Sequence, residues 1–168
     1  MKKYKLLTIL LISTLLITGC SNKKSKIDGP TFNTLAKNSG IGTTDVTQYY
    51  GYADKAYQSN HEKYKVLYVD FKDNGVDTQG IFIDQVNNLY SRAGVSEGET
   101  KTSQTNVAEL TTKAYKKDND TGDNWVYVKL ETSEGFFYIA KVDDTMLYIT
   151  SDLENKDKME ELISAMKY

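Results

Sequence analysis

The stretch from Trp125 to Ser151 leaves this chain few folds to choose from. Three runs rich in β-branched and aromatic residues, Trp125 to Thr132, Phe136 to Val142 and Met146 to Ser151, follow one another almost without interruption. The connections, Ser133-Glu134-Gly135 and Asp143-Asp144-Thr145, are short and made of turn-forming residues. Connections this short join antiparallel neighbours and cannot carry a parallel crossover. The spacing therefore predicts a three-stranded antiparallel meander, to which the rest of the chain must attach.

Two amphipathic helices suit that role. Asp77 or Thr78 starts one that runs to about Arg92, with Phe82, Val86, Leu89 and Tyr90 on one face and Ala93-Gly94 at its end. The other runs from about Leu153 to Met166, with Leu153, Met159, Leu162, Ile163 and Met166 as its apolar stripe. Upstream, Thr31 caps a short helix, Phe32 to Asn38, stopped by Ser39-Gly40. Residues 40–51 fit either a helix capped at Thr44-Asp45 or an approach to a strand. Asp54 to Ser59 and Tyr64 to Lys72 read as a hairpin, the second strand alternating Leu67, Val69 and Phe71 against Val66, Tyr68 and Asp70. Ser96 to Thr105 reads as a loop and Val107 to Lys116 as a strand.

The expected fold is α+β: one twisted antiparallel sheet of about five strands with amphipathic helices packed on one face. The residues expected beneath the helices are Leu67, Val69, Val126, Val128, Leu130, Leu147 and Ile149. The opposite face would present Tyr68, Trp125, Tyr127, Met146 and Tyr148, an aromatic surface suited to recognition because tyrosine and tryptophan bury area at low entropic cost.

The first twenty residues follow different rules. Met1-Lys2-Lys3-Tyr4-Lys5 is basic, and an apolar run of about a dozen residues follows, shorter than the roughly 20 that a membrane span needs. It closes on Leu16-Ile17-Thr18-Gly19-Cys20. These residues resemble the lipobox of bacterial lipoproteins, an aliphatic residue and small residues before an obligate cysteine. The resemblance implies a signal peptide over residues 1–19, cleavage between Gly19 and Cys20, and a diacylglycerol on the Cys20 thiol. Two acyl chains suffice for stable anchoring. Residues 20–30 then form an acylated start and a polar, lysine-rich tether ending at the turn signal Asp28-Gly29-Pro30, and residues 31–168 form a single α+β domain.

Charge narrows the partners. The chain carries 21 basic and 23 acidic residues, and Lys2, Lys3 and Lys5 lie in the leader, so the remainder is clearly acidic. An acidic domain has no electrostatic attraction to nucleic acid. Cys20 is the only cysteine, which leaves neither a disulfide nor a thiol nucleophile in the domain. His61, the only histidine, falls in a polar turn and reads as a solvent-facing loop residue. Asp118-Asn119-Asp120-Thr121-Gly122-Asp123 has the oxygens of a calcium loop. It departs from the EF-hand pattern, however, and a turn uses the same residues. Asp143-Asp144 reads as a hairpin turn, and the Asp70/Asp73 pair shows no spacing that requires a hydrolase cleft. No catalytic, cofactor or metal residues are assigned.

Beyond the lipobox, the chain resembles small, uncharacterised lipoproteins of Gram-positive bacteria. The features that carry this are the short helix before Gly40, the run from Phe136 to Tyr148 and the closing helix to Tyr168. The resemblance implies a fold and no mechanism. The expected function is a lipoprotein on the extracytoplasmic side of the cell membrane. It would be held by membrane lipid through Cys20 and would meet a protein or cell-envelope partner through Tyr68, Trp125, Tyr127 and Tyr148 without catalysis. The alternatives are an extracytoplasmic hydrolase that uses carboxylates, and a precursor whose excised signal peptide acts as a pheromone.

Overall fold

The computed structural model describes residues 22–59, 61–73, 75–94 and 116–168. The leader, Gly19, Cys20, the Ser96 to Thr105 loop and nearly all of the Val107 to Lys116 strand lie outside these residues.

The architecture is α+β, built on one antiparallel sheet. The strands are β1 (Thr43–Asp45), β2 (Ala53–Ser59), β3 (Tyr64–Phe71), β4 (Lys116–Thr121), β5 (Trp125–Thr132), β6 (Gly135–Val142) and β7 (Thr145–Ser151). The helices are α1 (Gly29–Asn38), α2 (Thr78–Arg92) and α3 (Lys156–Met166). Spatial order is β1-β2-β3-β7-β6-β5-β4, so two meanders meet where β3 pairs with β7. The sheet has seven strands rather than about five. The two that sequence reading lacked, β1 and β4, are its polar edges.

The helices occupy both faces, not one. α1 and α3 cover Val66, Tyr68, Tyr138, Leu147 and Ile149, whereas α2 covers Val69, Val128, Leu130, Ile139 and Tyr148. The cause lies in the central strands. Phe136, Phe137, Tyr138, Ile139 and Ala140 are all buried, and a strand apolar on both sides needs a lid on both. Leu147 and Ile149 therefore share a face with Tyr68, opposite to the grouping expected from alternation.

Local chemistry sets the edges of these elements. Asp28, not Thr31, caps α1: its carboxylate accepts the Thr31 N–H at 2.8 Å, and Pro30 sits in the first turn, where no N–H is needed. Residues 43–45 are strand, followed by a single 3-10 turn over Thr47–Tyr49. The β5–β6 and β6–β7 connections are two-residue turns. Gly135 opens β6 at φ +152°, where an added Cβ would stand 2.3 Å from the Ser151 carbonyl oxygen.

The most consequential departure concerns the segment read as a flexible tether. Residues 22–28 are bonded along the domain. The Asn22 carbonyl accepts the Trp125 indole N–H at 2.8 Å. Lys24 exchanges backbone bonds with the Asn124 amide at 3.0 and 2.9 Å. Lys26 lies between Asp70 and Asp144, 2.8 Å from each. Ile27 packs on the core, and its carbonyl accepts the Tyr68 hydroxyl. A polar composition predicts solvation only when no complementary groups wait on the surface, and here Asn124, Asp70 and Asp144 provide them.

Candidate functional site

β5 places Trp125 and Tyr127 two residues apart, so both side chains leave the same face of the sheet. Tyr138 comes from β6, where it pairs with Lys129 and lies diagonal to Tyr127. The three rings form a row. Trp125 and Tyr127 have centroids 6.1 Å apart at 9°, and Tyr127 and Tyr138 are 5.8 Å apart at 25°. This row is the floor of a groove of about 420 Å³. α3 forms one wall with Glu160, Ile163 and Ser164, and β4 forms the other with Asp118 and Asp120. A smaller hollow of about 270 Å³, sharing Asp118, Lys129 and Glu160, extends it toward Lys156. The main volume is within the usual size of a small-ligand site.

The rim is charged and internally braced. Lys129 lies 3.3 Å from Asp118 and 3.9 Å from Glu160. The Tyr127 hydroxyl donates to Asp118 at 3.2 Å. At the Trp125 end the docked segment closes the groove, with the Lys24 ammonium 4.1 Å from the Trp125 ring centroid and 5.7 Å from that of Tyr127. Burial holds the Lys24 pKa below the ordinary lysine value, against the pull of nearby Asp120. Burial raises the phenol pKa of Tyr138 and, helped by Asp118, that of Tyr127, so both rings stay neutral at physiological pH. The Tyr138 hydroxyl is buried and has no hydrogen-bond partner among the described residues.

Gly122 makes this end possible. A Cβ there would stand 2.1 Å from Trp125 Nε1 and 2.5 Å from the Asn22 carbonyl, where their hydrogen bond runs. The surrounding Asp118-to-Asp123 stretch, read from sequence as a turn, is largely strand β4. Asp118 pairs across with Lys129 and Asp120 with Tyr127, which aims both carboxylates at the groove. Among the described residues no group of three or more His, Cys, Asp or Glu side chains could hold a metal ion.

The four aromatic residues expected to form one open face are divided. Trp125 and Tyr127 meet in the groove. Tyr68 is wholly buried under α1, its ring stacked on Phe32 at 4.4 Å. Tyr148 is buried on the opposite face, under α2. His61 stacks on Tyr64 at 4.1 Å, and its Nδ1 accepts the Lys63 N–H. Asp70 and Asp144 do converge, but on the Lys26 ammonium, which makes them an ion-pair clip rather than an acid–base pair.

Sequence reading did not find Lys24, Tyr138 or Glu160. Tyr138 sits in a continuous apolar run and Glu160 on the polar side of a helix, so only strand register and helix placement reveal them. Compared with known proteins, the chain matches no family model, no curated protein and no solved structure. Among the described residues no helix is long and apolar enough to cross a membrane.

Proposed function

We propose that this protein is an extracytoplasmic lipoprotein, anchored in the cell membrane through acylated Cys20, whose domain is a non-enzymatic binding module. The groove beside α3 is its binding site. The observation that carries the reading is the three-ring floor of Trp125, Tyr127 and Tyr138 inside a volume of about 420 Å³. Aromatic faces bind by stacking and desolvation without needing a reactive group. The charges on the rim are largely matched to one another, which suits a surface that orients a ligand.

Two measurements test this. Replacing Cys20 with serine should shift the protein from the membrane fraction and block processing, and a variant that still pellets with membranes at the normal processed mass would refute the anchor. A photo-crosslinking residue at exposed Ser164, on the groove wall, should capture an adduct in intact cells that is lost in Tyr127→Leu. An identical adduct from exposed Tyr49, which lies outside the groove, would refute the site.

A further inference from the structure

The groove already holds a cation, and that cation belongs to the chain. Lys24 is carried to the Trp125 ring by backbone bonds to Asn124, and its ammonium stands over the indole with Tyr127 beyond it. Aromatic faces attract cations through the negative face of the ring quadrupole, and tryptophan does so best. The surroundings favour positive charge as well. Asp118, Asp120 and Glu160 line the groove, and Lys129 is divided between Asp118 and Glu160. Beneath them, the Tyr138 ring completes the aromatic floor, its hydroxyl buried.

We propose that this groove binds organic ammonium ions, with Lys24 as their built-in competitor. The proposal rests on the reading of the groove as the binding site and names its ligand class. A methylated ammonium suits the site better than a lysine does. Its charge is spread over apolar methyl groups and weakly hydrated, so moving it onto the rings costs less desolvation. The lowered pKa of Lys24 is in keeping with this, since burial already works against its own charge there. Displacement needs only the Lys24 side chain to swing away, because the bonds to Asn124 come from the backbone.

The chain contains one tryptophan, so its fluorescence reports on this site alone. The test is a titration of the full-length protein in detergent with choline chloride, at constant ionic strength. Saturable emission change is expected, with affinity about two- to five-fold tighter in Lys24→Ala, the range set by a solvent-accessible cation–π contact. Tyr127→Leu should abolish it. If circular dichroism shows that variant to be unfolded, Asp120→Asn, on the solvent-exposed edge, should weaken binding instead. The neutral isostere 3,3-dimethylbutanol should produce no saturation over the same concentrations. Phosphatidylcholine nanodiscs form a parallel arm, because a lipid headgroup and a soluble ion present the same cation. Saturation by choline alone assigns a soluble ligand, and saturation by nanodiscs assigns a headgroup. The ammonium assignment is overturned if neither saturates the Lys24→Ala protein, or if the isostere matches choline. Loss of choline binding with the Ser164 adduct intact would overturn the ligand class and leave the site standing.

Discussion

Lys26→Met should separate the docked segment from the domain. In the folded protein the ammonium lies 2.8 Å from both Asp70 and Asp144, with side-chain exposures of 35% for Lys26, 12% for Asp70 and 33% for Asp144. Breaking a fully buried pair by removing one partner costs about 3–5 kcal/mol, and an exposed pair is worth about 0–1. One partner here is largely buried and two are a third open, so the loss should be about 1–2 kcal/mol at pH 7. The deficit should also depend on pH. Burial raises the Asp70 pKa despite the opposing hydrogen bond and charge of Lys26, so removing Lys26 should raise it further. A carboxyl group whose folded pKa lies above its unfolded value stabilises the fold while protonated, and that stability is lost as pH rises through the folded pKa. The Lys26→Met deficit should therefore shrink as pH falls and Asp70 takes up its proton. Lys26 itself is pulled down by burial, but the hydrogen bonds and charges of Asp144 and Asp70 outweigh this and raise its pKa. Its own contribution is thus complete below the unfolded lysine pKa and lost only in strong alkali. Urea unfolding at pH 4 and pH 7, with hydrogen exchange at residues 24–27, reads both effects. Equal deficits at the two pH values, or unchanged exchange, would refute the clip.

Gly122→Ala should free Asn22 from Trp125 while leaving the core intact, because the new methyl group occupies the path of their hydrogen bond. The expected result is a red-shifted tryptophan emission, and an unshifted spectrum would contradict it. Tyr68→Phe removes the hydroxyl bonded to the Ile27 carbonyl from a fully buried ring. It should cost about 1 kcal/mol in urea unfolding without altering the stacking on Phe32.

The β5-β6-β7 meander, the β2–β3 hairpin and α2 were all legible, because turn residues bracket their apolar runs. The phase of β7 was not. Met146, Leu147, Tyr148 and Ile149 are apolar at every position, and alternation cannot say which face each one takes. β4 was hidden by its composition, Lys-Lys-Asp-Asn-Asp-Thr, which resembles a turn until it is paired with β5. In the candidate site, Trp125 and Tyr127 could be matched by their spacing. Lys24 could not, because its partner Asn124 lies 100 residues away.

The pinning of Asn22 to Trp125 sets the length of the leash. Cys20 and Asn22 are two residues apart, and an extended chain covers roughly 7 Å over that distance. If Cys20 carries lipid, as proposed above, that short link leaves the domain little room to move away from the bilayer. In that case the indole end would lie nearest the bilayer, and a ligand of the groove would be met close to the membrane surface.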